Sequence, residues 1–406
     1  MTHTMEPERS AETNEPEFTS IEICAGAGGQ AIGLHQAGFG HLALVEIDPY
    51  AAATLRMNVI SHPKWLWERD NCDVLPPTDV KSFKLEHLQK SAKLYRQRGL
   101  DLLAGGVPCP PFSHAGKQLG KDDERDLFPR MLELVKELEP RAVMIENVRG
   151  IMDPKFENYR EQIKARLQSG WYEGEDGQKV WDDGLGYEVC EWGILEASDF
   201  GVPQLRPRAI LVAFRKDVLK DVKYEWPTPT HDEPVSVAKA LGPSMLARYK
   251  PYFEGVYAEV ARESHRLWLD AATRRHEELL ERGGGGIAPT LVGGSKKHGG
   301  ADLGPSRAKA AWKSLGVNGL GVANDPETCK KKETEARDLF GPNGPMLTVQ
   351  QAALIQGFPP EWEFSGGKTA QYRQVGNAFP PPVAKAVGRS IADVLRAARE
   401  RDSKKD

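Results

Sequence analysis

Apolar and polar positions in the first half of the chain switch between a period of two and a period near 3.6. Phe18–Ile23 is a short run rich in β-branched residues, and it ends at Gly26-Ala27-Gly28-Gly29. A helix-like stretch follows to Ala37, and Gly38 closes it. His41–Ile47 reads as the next strand, and Pro49 then sits in the first turn of a helix running toward Asn58. Leu100–Ala104 predicts a strand ending in Gly105-Gly106. Between Asp126 and Leu138, residues Leu127, Met131, Leu134, Val135 and Leu138 share one helical face. Ala142–Ile145 and Ala209–Phe214 are further apolar strands. Strands alternating with helices predict an α/β fold, a doubly wound and mostly parallel sheet covered on both faces. The ligand crevice of such a sheet lies at the carboxyl ends of its strands.

The pattern breaks near Arg215. From there to about Pro345 the chain is rich in Gly, Pro, Trp and charge, with one good helix over roughly Val256–Glu281 and four glycines at Gly283–Gly286. This predicts a second, smaller and irregular domain with long loops. Regular structure returns at Leu347, and a final helix from Pro382 to about Ala397 carries Val383, Val387, Ile391 and Leu395 on one stripe. The expected organisation is a disordered tail at 1–17, a sheet domain over 18–215 plus 370–400, and the second domain with its hinge over 216–369. A charged tail covers 401–406. Segments 81–98, a charged helix, and 152–185, polar and glycine-rich, read as insertions on the sheet domain.

Composition narrows the function. A length of 406 residues suits two domains, and a formal net charge of -4 means that any polyanion-binding surface must be local. The five cysteines (Cys24, Cys72, Cys109, Cys190 and Cys329) are scattered and form no C-x-x-C pair. Neither a disulfide framework nor a metal site is expected, and a reducing, cytoplasmic setting is. No apolar run approaches the roughly 20 residues of a membrane helix. A monomer is the expected state.

Several short motifs carry chemistry. Gly26-x-Gly28-Gly29 follows a strand and opens a helix, where backbone amides can approach a ligand closely. Glu46, with Ile47 after it, stands near the offset at which an acid grips a ribose. Gly26-x-Gly28-x-x-Ala31 also satisfies a dinucleotide fingerprint, so on this feature a dehydrogenase remains open. Gly106-Val107-Pro108-Cys109-Pro110-Pro111-Phe112-Ser113 is more specific: prolines hold a cysteine rigidly at a strand end, where a lowered thiol pKa would make it a nucleophile. Glu146-Asn147-Val148 ends the next strand, and partial burial there would raise the carboxyl pKa so that it can donate a proton. Gln204-x-Arg206-x-Arg208 precedes the last strand, and alternation would turn all three side chains to one crevice. In the second domain Lys296 and Lys297 sit in a glycine-rich loop, with Arg307, Lys309 and Lys313 following, a candidate phosphate-binding stretch.

In this order, the motifs Ala25–Gly29, Val45–Asp48, Cys72-Asp73-Val74, Pro108-Cys109, Glu146–Val148, Gln204–Arg208, Leu347–Phe358 and Gly376-Asn377-Ala378 resemble the prokaryotic DNA cytosine-5 methyltransferase family. The resemblance covers about residues 18–215 and 346–395, and the segment between has the position and character of that family's target-recognition domain. It implies S-adenosylmethionine as methyl donor, S-adenosylhomocysteine as product and double-stranded DNA as substrate. A cognate restriction endonuclease acting on the same sequence belongs to the same picture.

Residue by residue, the resemblance implies that Cys109 attacks carbon 6 of a flipped cytosine, that Glu146 protonates ring nitrogen 3, and that Arg208 contacts the base carbonyl with Arg206 in support. Glu46 would hold the ribose hydroxyls and Asp73 the adenine amino group. The remaining cofactor wall would come from Cys24, Ala25, Gly26, Ala27, Gly28, Gly29, Ile47, Val74, Gly106, Pro108, Leu127, Asn377 and Ala378. Ser113, Gln204, Lys296, Lys297 and Arg307 would meet DNA. Cys24 departs from a common phenylalanine, Glu22 from a frequent aspartate and Gln350-Gln351 from an Arg-Glu pair. An RNA cytosine methyltransferase on the same plan and a catalytically idle DNA-binding protein are the other readings.

Overall fold

The computed structural model describes residues 15–108, 126–174, 176–282, 284–293 and 301–404. Its centre is a seven-stranded sheet built from β1 (Phe18–Ile23), β2 (Phe39–Val45), β3 (Asp73–Val74), β4 (Leu102–Gly106), β5 (Ala142–Val148), β8 (Tyr187–Glu196) and β9 (Pro207–Arg215). The spatial order is β3-β2-β1-β4-β5-β9-β8. All neighbours pair in parallel except β9, which runs antiparallel to both β5 and β8. The chain leaves β1 toward β2 on one side and returns to β4 on the other, so the switch point that opens a ligand crevice lies beside β1.

Both faces are covered, as the continuous apolar runs require. Helix α1 (Gly29–Gln36) and the C-terminal helix α10 (Pro381–Ser403) pack on one face through Leu34, Val387, Ile391 and Leu395. Helices α3 (Phe128–Leu138) and α4 (Glu157–Gln168) cover the other through Met131, Val135, Ile163 and Leu167. Helix α2 (Pro49–Ser61), capped by the Asp48 carboxylate, lies at the carboxyl edge after β2. The last helix is thus built into the first sheet domain.

The chain after Arg215 is more regular than its composition suggests. It contains α5 (Val237–Tyr249), α6 (Ala258–Leu280) and α7 (Ser306–Ser314), followed by α8 (Val349–Gln356) and α9 (Lys368–Asn377). Helix α5 escaped the sequence pattern because Pro243 lies inside it. Its Arg248, nearly buried, donates to Met346 O and to Gln351 Oε1 at 2.6 Å, so Gln351 joins α5 to α8. Segment 152–185 supplies α4 and a hairpin of β6 (Gly170–Glu173) and β7 (Lys179–Asp182) rather than a loop. Segment 81–98 forms only short turns and the helix Ala92–Arg98. Residues 15–17 of the expected tail are tied down, because Arg396 and Arg399 grip Glu17. Residues 401–403 continue α10. Among the described residues, no helix is long and apolar enough to cross a membrane, and no acid, His or Cys group has the makings of a metal site.

β1 is buried at every position, including Glu22. Glu22 Oε1 lies 3.2 Å from His41 Nδ1, while His41 Nε2 donates to Ala31 O at 3.0 Å. Burial pushes the Glu22 carboxyl up to about 8 and pulls His41 down to about 4, so both are neutral in the core near pH 6.5. Unfolded Glu22 releases its proton near 4.5, whereas folded Glu22 keeps it to about 8. The folded state therefore binds more protons in that window and loses stability as pH rises. His41 has the opposite effect, but only between about 4 and 6.5. Unfolding free energies measured from pH 6.5 to 8 should fall with pH, and Glu22→Gln should flatten that fall. An unchanged slope in the variant would remove Glu22 as its source.

Candidate functional site

The carboxyl edge of the sheet encloses a cavity of about 960 Å³, at the upper end of the roughly 300–1,000 Å³ usual for ligand clefts. Its walls come from the end of each strand in turn. After β1 the chain makes a tight turn in which Cys24, Gly26 and Gly28 all take left-handed φ, at 51°, 56° and 92°. Glycine is required at two of these positions by conformation. At Gly28 it is also required by space, since a Cβ would meet the Trp362 ring at 2.7 Å. Trp362 Nε1 donates to Ala27 O at 3.0 Å and clamps the turn from outside. At Gly26 a Cβ would meet nothing within 4 Å, so that backbone faces open cavity.

Glu46 follows β2. Its Oε2 accepts the Gly26 amide at 2.7 Å and its Oε1 accepts the amides of Ile47 and Asp48 at 2.8 Å. Oε2, with one donor, keeps spare lone-pair capacity for a hydroxyl donor. Beside it the Ile47 side chain is 61% exposed on the cavity wall, an apolar surface suited to a flat ring. Burial and the charges of Glu46 and Asp79 push the Cys24 thiol up to about 12, so Cys24 is an inert wall residue.

At the other end stand β4, β5 and β9. Gly106, Val107 and Pro108 line the cavity, and Asn147 Nδ2 holds Val107 O at 2.8 Å. Leu127, at the start of α3, lines it too and donates its amide to Pro108 O at 3.2 Å. Glu146 Oε1 pairs with Arg208 Nε at 2.8 Å. The register explains the meeting: Glu146 is opposite Ile210, so Arg208 is its diagonal neighbour on the same face. Burial raises the Glu146 carboxyl above its ordinary value, against the pull of Arg208 and then Arg206. Because β9 is antiparallel, its amino-terminal end delivers both arginines to the edge where the other strands deliver their carboxyl ends.

Several expectations need correction. Gln204 is fully buried rather than facing the crevice: it donates to Gln356 Oε1 at 2.7 Å and accepts the Leu291 amide at 2.6 Å. The chain is not yet a strand there, so alternation does not apply. Arg206 lines the cavity, and its two terminal nitrogens donate to Leu291 O, Gly376 O and Ala378 O at 2.7, 2.7 and 3.0 Å, while its buried Nε finds no partner among the described residues. Burial pulls it well below the ordinary arginine value. Asp73 and Val74 lie outside the cavity wall, as do Ala25, Gly28 and Gly29. Gly29 serves packing, for a Cβ there would collide with Phe379 O. Asn377 and Ala378 line the cavity, and Arg307 is exposed on α7. Cys109, Ser113, Lys296 and Lys297 lie outside the described residues. Thr78–Lys81, Leu291–Gly293 and Arg373 line the cavity without having been singled out, because no periodic or motif signal marks them.

Arg206→Met should leave three buried carbonyls without donors and lower stability by about 3–5 kcal/mol in urea denaturation. A loss under about 1 kcal/mol would show that the clasp does not hold the cavity together.

The comparisons agree with this geometry. The model of the C-5 cytosine-specific DNA methylase family matches residues 18–393. The Type II methyltransferase M.NaeI of Lentzea aerocolonigenes is 45% identical over 376 residues, covering 92% of this chain and 75% of the relative. M.NgoMIV of Neisseria gonorrhoeae, also a Type II methyltransferase, is 42% identical over 383 residues, covering 94% and 99%. Among solved structures, a prophage-encoded E. coli protein described as a DNA modification methyltransferase has the same fold, with a TM-score of 0.55, 22% identity and coverage of 94% and 100%. The chain belongs to the C-5 cytosine-specific DNA methylase family and is a DNA methyltransferase.

Proposed function

We propose that this enzyme takes a cytosine out of duplex DNA at one short sequence and methylates its carbon 5. The observation that carries the reading is the partly buried Glu146–Arg208 pair in the same cavity as Pro108, the residue before Cys109, and as the Gly26–Glu46 ligand wall. S-adenosylmethionine fits that wall: Glu46 has acceptor capacity for ribose hydroxyls, Gly26 leaves open space, and Ile47 and Leu127 offer apolar surface. Bound there, it supplies an electrophilic methyl group on a sulfonium.

The chain's residues make the base reactive. Carbon 5 of cytosine is a weak nucleophile. Addition of the Cys109 thiolate to carbon 6, with Glu146 giving a proton to ring nitrogen 3, turns the ring into an enamine nucleophilic at carbon 5, to which bound S-adenosylmethionine would supply the methyl, its S–CH3 bond breaking to leave S-adenosylhomocysteine. Loss of the carbon 5 proton to a base then expels the Cys109 thiolate, and nitrogen 3 returns its proton to Glu146. Burial keeps a proton on Glu146 to higher pH than an exposed carboxyl, which suits a donor. Arg208, paired with that carboxyl, also reaches the base carbonyl. Arg206 acts indirectly, by holding the wall. Unstacking the base costs a few kcal/mol. Contacts from the helical domain over 216–369, with Lys296, Lys297 and Arg307 at phosphates, offset that cost. From the Type II relatives we carry over a cognate endonuclease of the same specificity as partner.

Transfer of labelled methyl to plasmid DNA, followed by bisulfite sequencing, tests this. Wild type should modify cytosine at one short sequence, Cys109→Ser should transfer nothing, and Glu146→Gln should be slower by about 10²–10⁴-fold. Label on tRNA but not on DNA would overturn the substrate assignment.

A further inference from the structure

The hairpin of β6 and β7 takes no part in the cavity wall. Between residues 170 and 185 the chain carries Glu173, Glu175, Asp176, Asp182 and Asp183 against the single Lys179, a poor surface for DNA. The two strands pair antiparallel, with Trp171 opposite Trp181 and Glu173 opposite Lys179. Directly opposite residues share a face, and so do alternate residues along a strand. These four side chains therefore form one face, and all four are exposed. The other face turns to α4. There Asp182 pairs with Arg166 at 3.5 Å, and the Asn158 side chain bonds the backbone O and N of Glu173 at 2.9 and 3.0 Å.

Of the nine tryptophans only Trp171 and Trp181 are exposed, at 60% and 50%, and their ring centroids lie 5.4 Å apart. Aromatic rings paired in the open mark a contact surface. The charges beside them choose the occupant. One row of the face holds a tryptophan on each strand, and the next row holds opposite charges. A two-fold axis along the hairpin, midway between its strands and in the plane of contact, lays each strand on the other strand of a copy. Trp171 then meets Trp181 of the second copy, Glu173 meets its Lys179, and Lys179 meets its Glu173. A uniformly basic or acidic partner would instead set a like charge against Lys179 or Glu173. We infer that this face docks on the same face of a second copy of the chain and closes a two-fold dimer. Four tryptophans of about 150–250 Å² each keep the contact below the roughly 1,200 Å² of a standard interface, so the dimer is a weak one.

Sedimentation equilibrium of the full chain, from micromolar to near-millimolar concentration, tests it. Wild type should pass from monomer toward dimer mass. Trp171→Ser/Trp181→Ser should stay monomeric, with methyl transfer at low concentration unchanged. Glu173→Lys and Lys179→Glu each set like charges across the axis and should weaken association about tenfold, whereas the exchange Glu173→Lys/Lys179→Glu should return to within about threefold of wild type. That recovery is the signature of a two-fold contact through this face, and it reads out even where the tryptophan variant fails to fold. A wild type that is monomeric throughout, a folded tryptophan variant that still dimerises, or an exchange no better than the single reversals would each overturn the inference. A monomer that instead binds an oligo-arginine peptide through the two tryptophans would overturn it in favour of a cationic partner.

Discussion

One buried guanidinium ties the cavity together. Arg206 is 1% exposed and donates to carbonyls of Leu291, Gly376 and Ala378. Leu291 belongs to the segment after α6, Gly376 to the last turn of α9, and Ala378 to the turn between α9 and α10. A lone charge so deep is unfavourable, and only the simultaneous arrival of all three carbonyls offsets its desolvation. The clasp thus ties the start of β9 to the segment after α6 and to the junction of α9 and α10. The fit around it is tight, since a Cβ at Gly376 would sit 2.6 Å from Gly293 N. Gly293 is the last described residue before 294, so the residue preceding β9 holds the chain at that point.

Desolvation acts in the opposite sense on Glu146, the carboxyl that pairs with Arg208. Arg206 and Arg208 both lower the Glu146 pKa, yet burial outweighs them and the carboxyl stays raised. With Arg206 committed to carbonyls, Arg208 is the guanidinium in contact with the carboxyl. This division of labour follows from topology. A parallel β9 would have brought its carboxyl end, near Arg215, to the cavity and left both arginines at the far edge.

Elements with a clean period were legible in the sequence: β1, β2, β4, β5 and β9, and helices α3, α6 and α10. β8 was not, because it is an outer strand with a register shift between Val189 and Glu191 that breaks its alternation. The glycine turn, Glu46, Pro108, Glu146 and Arg208 were legible because chemistry and strand ends coincide there. Gln204 was misread because alternation was extended into residues bridged to Ala288 rather than paired in the sheet. Thr78–Lys81 was invisible, since nothing local marks a loop as the wall of a pocket formed by distant strands.

Asp73 shows why a motif residue and its role can part company. It stands at the strand end where an acid could serve a ligand, and it is 9% exposed. What it meets is decided by the chain that follows: residues 89–91 bring three amides and a hydroxyl onto its carboxylate. Bonds to a charged acceptor are worth more than neutral ones, so that capture is strong. It also holds the start of the Ala92–Arg98 helix against β3. Segment 81–98 therefore staples Asp73 and, through Lys81 at its start, reaches the far wall of the cavity.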